Sequence, residues 1–464
     1  MKKLLALFLA LAMLATLAAC GSTGGGTSTP STPAADPSGT TPDAQTTRPA
    51  AGGEIYYLNF KPEIAPVYDE IAAAYEAETG VKLHVVTAAS GTYEQTLKSE
   101  IAKADAPTLF QINGPKGYAS WKDYCADLSG TELYQHLTDK GLAISDGDKV
   151  VGIPYVVEGY GIIYNNAIMQ KYFALDGAKA KSVDEINNFA KLREVVEDMT
   201  AKKDQLGIKG VFASTSLKPG EDWRWQTHLA NLPVYYEFKA NNVDLASDAT
   251  KEITFQYGDN YKNIFDLYLN NSTTDPKLLG SKQVADSMAE FALGQCAMVQ
   301  NGNWAWSQIA EVEGNTVKEE DIKFMPIYIG VEGEESQGLC VGTENFFAIN
   351  SQASPEKQQL AADFIYWLYS SDTGKDFVTN KLGFIAPFDT FAEDERPTDP
   401  LAKEVSAWMG KDGISSVPWN FTVFPSQTFK DDFGAALLQY AQGTKSWDDV
   451  KTLVVDEWKA ENNL

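Results

Sequence analysis

Apolar residues along the chain change period several times, and each change marks an element. Ile55-Tyr56-Tyr57-Leu58 is a short apolar run that reads as a strand. Val67, Ile71, Ala74 and Tyr75 follow at helical spacing, and Gly80 supplies the stop. Val81, Leu83 and Val85 then alternate with Lys82 and His84, as in a half-buried strand. Strand, helix and strand joined by short turns predict a parallel-sheet unit. Further strands are expected at 107–112, 151–155 and 346–349. Residues 182–206 carry Val183, Ile186, Phe189, Leu192, Val196 and Met199 at spacings of three and four, and predict helix. Residues 284–293 repeat that pattern. Cys296-Ala297-Met298-Val299 is a short strand that Asn301-Gly302 should break, before a helix with Trp306 and Ile309. Ser354-Pro355 opens a helix with Leu360, Phe364, Trp367 and Leu368 on one face. Ser446 and Asp449 form a capping-box pattern ahead of Val450, Val454 and Trp458. The pattern is α/β throughout, with no internal repeat, and the length favours two lobes over one.

The first residues follow a different logic. Lys2 and Lys3 precede an apolar stretch over 4–19, interrupted only by Thr16 and shorter than the ~20 residues of a membrane span. It ends Leu17-Ala18-Ala19-Cys20, which resembles the lipobox of bacterial lipoproteins. The resemblance implies a signal peptide over 1–19 and a lipidated Cys20 as the mature N-terminus. A cleaved secretory peptide with an incidental cysteine is the alternative. Residues 21–53 contain no Val, Ile, Leu, Met or aromatic residue, so 20–53 is expected to be a disordered tether. Membrane contact is then expected through the lipid alone.

Charge and composition narrow the chemistry. With 38 Lys and Arg against 63 Asp and Glu, the formal charge is −25, which argues against nucleic acid as a partner. Three histidines are too few for a His-rich metal site. Cys125, Cys296 and Cys340 fit no zinc spacing and are expected as buried structural thiols. No metal and no cofactor is expected. There is no G-x-S-x-G, P-loop, H-E-x-x-H or EF-hand loop, and no residue is assigned a catalytic role. A glycoside hydrolase, which needs two placed carboxylates, stays open as an alternative.

Five stretches coincide, in order, with one family: AAAYEAETGVKLHV at 72–85, PTLFQ at 107–111, GIPYVVEGYGIIYN at 152–165, QNGNWAWSQI at 300–309 and AADFIYWLYSSDTGKDF at 361–377. Together they resemble the extracellular solute-binding proteins of carbohydrate ABC importers, the maltose-binding-protein-like family 1. The resemblance implies a two-lobe, type II periplasmic-binding-protein-like fold with hinge strands and an interlobe cleft. By analogy, lobe 1 is 54–157 plus 335–382 and lobe 2 is 158–334 plus 383–464. It implies a monomer, held at the extracellular face of the membrane, that captures a mono- or oligosaccharide and delivers it to the transmembrane permease of an ABC transporter. A peptide, a polyamine or an anion is the alternative solute. A structural adhesin is a third reading.

A sugar offers C–H faces that pack on aromatic rings and a rim of hydroxyls that exchange hydrogen bonds. The site therefore needs aromatics beside polar side chains, and the resemblance assigns several. Trp304 follows the Asn-Gly pair and matches a stacking position; a core tryptophan is the competing reading. Glu158 matches a hydroxyl-binding glutamate, while Tyr160 departs from the small or aliphatic residues of the maltose type. Trp223 matches a cleft wall, with Arg224 and Trp225 beside it. Lys61 and Glu63, after the first strand, and Gln111 and Asn113, at another strand end, lie where open α/β sheets bind ligands. Glu344 and Asn345 follow the inferred second crossover, and Trp419 and Phe421 lie in a late loop that lines the cleft in relatives. Ser90-Gly91-Thr92-Tyr93 is a weaker candidate. This aromatic and carboxamide content favours a neutral polyol over a peptide or an anion.

Overall fold

Two mixed sheets organise the chain. The computed structural model describes residues 52–462, except Ser90, Ala246, Glu344 and Glu393. The segment 1–19, most of the tether, and Cys20 lie outside the described residues.

The first sheet contains β1 (Glu54–Asn59), β2 (Lys82–Thr87), β3 (Leu109–Asn113), β4 (Ile144–Asp146), β5 (Lys149–Pro154) and β10 (Asn345–Ile349), in the order β2-β1-β3-β10-β5-β4. β1 pairs in parallel with β2 and β3, whereas β10 enters antiparallel between β3 and β5. The parallel pair needs a crossover, which is the helix Ala65–Thr79. Gly80 ends it in the left-handed region (φ 73), donating its N–H to the Glu76 carbonyl. Both faces of the sheet are covered, so its strands are apolar on both sides. Ile55, Tyr57, Leu109, Phe347 and Ile349 enter one core, and Leu58, Phe110, Ile112, Phe346 and Ala348 enter the other.

The second sheet is built on β6 (Glu158–Asn165), whose eight residues are all buried. Its order is β11-β9-β6-β7, and β8 also pairs with β6. The partners are β7 (Met298–Gly302), β8 (Ile322–Met325), β9 (Gln337–Gly342) and β11 (Ser415–Pro418). Tyr160, Ile162 and Tyr164 of β6 enter the large core under this sheet, and Ile163 enters the core on the other face. The chain passes between the sheets from Pro154 to Glu158 and from Gly342 to Asn345. Near the first passage, Val157 bridges Ile385 and donates its N–H to the Ile385 carbonyl at 2.8 Å.

Three local expectations change. The helical stretch expected over 182–206 is broken into a 3-10 turn Val183–Glu185 and the helices Phe189–Ala201 and Lys203–Leu206. Asn188 is extended and caps the middle piece, accepting from the Lys191 N–H, so the polar Asn187-Asn188 pair overrides the apolar spacing. Asn301-Gly302 does not break its strand, because both residues pair with β6 opposite Gly161 and Tyr160. The strand Gln337–Gly342, placed with the first lobe by analogy, pairs with β6 and β11 of the second sheet. Cys125, Cys296 and Cys340 are free thiols, with Cys296 and Cys340 buried and Cys125 half-buried.

A candidate ligand cleft between the two sheets

The site begins at the end of β1. Asn59 is fully buried, and its Nδ2 donates to the Lys61 carbonyl (2.9 Å) and to Thr87 Oγ1 (3.2 Å). The Phe60 N–H donates to Gln111 Oε1 on β3 at 2.6 Å. The turn is thus tied to both neighbouring strands and sends Lys61 toward the second sheet. Lys61 Nζ lies 2.8 Å from Glu158 Oε1 and 3.5 Å from Glu63 Oε1. Lys61 and Glu158 are both about nine-tenths or more buried, at 5% and 4% exposure. An ion pair this dry persists only with good geometry, since desolvation opposes it. It joins the strand end of one sheet to the first residue of β6 in the other.

Aromatic rings gather on the side of the second sheet. Gly302 closes β7, and a methyl built there would fall 2.2 Å from the Trp304 ring, so the indole lies flat over the glycine. Trp304 is half-buried and begins the helix Ala305–Ala310. Lys61 Nζ stands 5.5 Å from its ring centroid. Trp223 packs 5.9 Å from Trp304, and the Arg224 guanidinium sits 3.9 Å over Trp223. Trp419 follows β11, covers Gly342 and meets Trp304 edge-on at 6.5 Å. Its loop is pinned by Asn231, which donates to the Pro418 carbonyl (3.1 Å) and accepts from the Asn420 N–H (2.6 Å).

Below these rings lies His228, in a π-helical turn over Arg224–Leu229. Such turns recur at functional sites. Its ring is 4.8 Å from Trp223, 5.5 Å from Trp304 and 6.0 Å from Trp419. Burial pushes its imidazole down to about 3, so it is neutral, and Nδ1 carries the proton toward the Trp223 carbonyl at 3.2 Å. Tyr160 is 1% exposed; its hydroxyl donates to the His228 carbonyl (2.8 Å) and its ring packs on His228 and Phe421. It forms the floor under the rings. Trp225 turns away and packs against Phe265 and Tyr268.

The structure brings Lys61, Glu63, Glu158, Trp223, Arg224, Trp304 and Trp419 together over this floor. Gln111 and Asn345 join through strand register, since β3 and β10 pair Gln111 with Phe347 and Asn113 with Asn345. Asn113 is half-buried and precedes the helix Gly114–Trp121. Glu344 and Ser90 lie outside the described residues. Gln300 and His228 were not singled out from the sequence, although Gln300 opens the QNGNW run and His228 stands five residues after Trp223.

Several side-chain atoms in this region are buried without a partner: Gln111 Nε2, Arg224 Nε, Gln300 Oε1, Trp304 Nε1, Asn345 Oδ1 and Trp419 Nε1. Each such atom costs roughly 1–3 kcal/mol. Isolated cases occur in the cores too, Tyr68 and Trp447 among them, but here several fall in one region, beside the clustered rings of Trp223, Trp304 and Trp419. The arrangement can stack a flat apolar face and satisfy a polar rim.

A family model described as bacterial extracellular solute-binding protein matches residues 70–407. The chain belongs to this family of extracellular solute-binding proteins. Solved structures agree on the fold. A chitin oligosaccharide binding protein superposes with TM-score 0.66 at 17% identity, covering 89% of this chain and 98% of its own. The maltose-bound MalE3 of T. maritima gives TM-score 0.65 at 14% identity, covering 88% and 100%. A sugar transporter protein from Bacillus licheniformis in complex with stachyose gives 0.63 at 17% identity, covering 88% and 99%. No curated protein matches the sequence. The fold is therefore the two-lobe, periplasmic-binding-protein-like one, with two mixed sheets.

Proposed function

We propose that this solute-binding protein captures a mono- or oligosaccharide between its two sheets and delivers it to the permease of an ABC importer. The observation that carries the reading is the set of tryptophan faces, Trp223, Trp304 and Trp419, bordered by buried polar atoms without partners. Rings supply stacking for sugar faces, and the orphaned atoms supply hydrogen bonds for hydroxyls. The solved structures of this fold that hold raffinose, maltose and stachyose point the same way.

The ligand-contacting set in this reading is Trp304, Trp223, Trp419, Lys61, Glu63, Glu158, Gln111, Asn113, Asn345 and Arg224, with Tyr160 beneath them; Glu344, outside the described residues, is included on its sequence alone. The chain works as a binder, not an enzyme, and acts as a monomer. Its lobes are 54–157 with 345–382, and 158–342 with 383–464, the second boundary moved past β9 because that strand pairs with β6. Ligand touches both lobes and shifts the open–closed equilibrium toward closure. No described helix is long and apolar enough to cross a membrane. Attachment is through lipid on Cys20, followed by the polar tether.

A glycan panel read by thermal shift tests the reading, since a ligand that prefers the folded state raises the melting temperature. At least one saccharide is expected to raise it and to change tryptophan fluorescence. A panel without any response, alongside a response to a peptide or polyamine, overturns the carbohydrate assignment. Release of reducing ends from a bound glycan overturns the non-enzymatic one. Retention of a Cys20→Ala variant in the membrane fraction overturns the anchor.

A further inference from the structure

Arg224 is the least satisfied charge in the described residues around the cleft. It is 3% exposed, yet no carboxylate lies within ion-pair distance of it. Its one hydrogen bond runs from Nη1 to the Glu221 carbonyl at 3.2 Å, and its Nε is buried without a partner. The flat face of the guanidinium is covered by Trp223 at 3.9 Å. An uncompensated buried charge is costly, and a fold retains one where something else completes it.

The nearby acids do not serve. Glu63 and Glu158 both turn to Lys61. Glu221 Oε2 accepts from the Val284 N–H at 3.3 Å. The Asp222 carboxyl packs against Gly434, where a methyl would fall 1.9 Å from Oδ2. Lys61 thus has two carboxylates at ion-pair distance, whereas Glu221 and Glu63 act on Arg224 only from beyond that distance.

The orphaned atoms are also unbalanced. Arg224 Nε, Trp304 Nε1, Trp419 Nε1, Asn420 Nδ2 and Gln111 Nε2 are donors, against the acceptors Gln300 Oε1 and Asn345 Oδ1. Gln111 and Gln300 are fixed in these senses, since Gln111 Oε1 accepts from Phe60 and Gln300 Nε2 donates to the Arg224 carbonyl. A ligand that completes this lining brings more acceptors than donors. A hydroxyl offers both, whereas a carboxylate only accepts. Its two oxygens also match the parallel N–H groups along the open edge of a guanidinium.

We infer that the saccharide taken by this cleft carries a carboxylate, as in a uronic-acid-containing oligosaccharide, and that Arg224 determines this specificity by receiving that group. The inference rests on the carbohydrate reading above and corrects its expectation of a neutral polyol. The stacking faces are unaffected, because an acid group at the rim leaves the C–H face of the ring intact.

The test is fluorescence titration of the full chain with digalacturonate, a glucuronic-acid-bearing xylobiose and sialyllactose, each beside its methyl ester and beside neutral maltotriose, raffinose and chitobiose. At least one acid is expected to bind about tenfold or more tightly than its ester, a difference of ~1.4 kcal/mol. Arg224→Met should erase that gap, and Arg224→Lys should keep part of it, because an ammonium retains the charge without the two-pronged geometry. If neutral sugars bind and no acid exceeds its ester, the specificity assignment falls and sugar capture stands. Absence of binding by every saccharide removes both. A gap that survives in a folded Arg224→Met variant, checked by circular dichroism, also overturns the role of Arg224. The acid-against-ester comparison uses the unaltered chain, so it does not depend on whether a variant folds.

Discussion

The two sides of the cleft are built differently. The first sheet contributes polar side chains at or just after strand ends, Lys61, Gln111 and Asn345, each buried. The second sheet contributes rings, Trp223, Trp304 and Trp419, held against glycines and a buried histidine. The difference teaches where precision and area come from. Strand ends tied by backbone register place single atoms well, as the Phe60–Gln111 bond shows. Loops and helix starts after β7 and β11 have room for large side chains, and the glycines let those rings approach the sheet. One side reads the rim of a ligand and the other supplies its stacking surface.

The junction of the two sides is the first place to break this division. Glu158→Ala should cost about 1.5–3 kcal/mol of folding stability, because buried Lys61 loses its closer carboxylate and keeps only Glu63 at 3.5 Å. Denaturant melts measure it. A double variant, Lys61→Met with Glu158→Leu, should recover most of the stability and none of the binding. If the single variant melts like the parent, the pair is not the junction described here.

The two sides can then be weighed directly. Trp304→Ala should weaken sugar binding by at least about tenfold in a folded protein, since it removes a stacking face. Gln111→Leu removes one donor from the lining, together with the acceptor of the Phe60 N–H, and should weaken binding by only about 0.5–1.5 kcal/mol. Equal losses from the two variants, by calorimetry, would erase the proposed split between area and precision.

Gly302→Ala sharpens the aromatic side alone. Its methyl would meet the Trp304 ring, so the indole must move. A loss of about 1–3 kcal/mol in stability is expected, with weaker binding although no ligand-contacting atom is removed. An unchanged affinity would show that Trp304 needs no such support.

A separate, pH-dependent effect concerns Asp222, two residues before Arg224. Burial, with Asp431 and Glu221 nearby, pushes its carboxyl up to about 7. The folded state then holds a proton that the unfolded chain gives up near its ordinary value of 3.8, so stability falls as pH rises from about 4 to 7. Asp222→Asn should therefore become progressively stabilising over that window and level off above it. Melts at several pH values that show a constant difference would remove this account.

Much of the fold was legible along the chain. The apolar run at Ile55–Leu58, the alternation around Leu83 and the stop at Gly80 depend on neighbours a few residues away, and the structure has a strand, a strand and a helix end there. The capping pattern at Ser446 is likewise local, and its hydroxyl bonds Asp449 at 2.7 Å. The errors came where distant partners decide. Asn301-Gly302 looks like a turn and is strand because β6 lies alongside. Tyr160 looks like a cleft residue and is floor because His228 and Phe421 cover it. His228 gave no signal, since nothing in its neighbours along the chain says that three tryptophans surround it.

The sequence by itself determined the α/β class, the order of most elements and the placing of aromatic and polar residues in loops after strands, because periodicity and turn chemistry act over a few residues. Only the tertiary structure decided that Lys61 and Glu158, 97 positions apart, form a dry ion pair, and that Arg224 is buried without a carboxylate at ion-pair distance. Charge pairing and desolvation depend on what is brought near from elsewhere in the chain, and no local pattern records that.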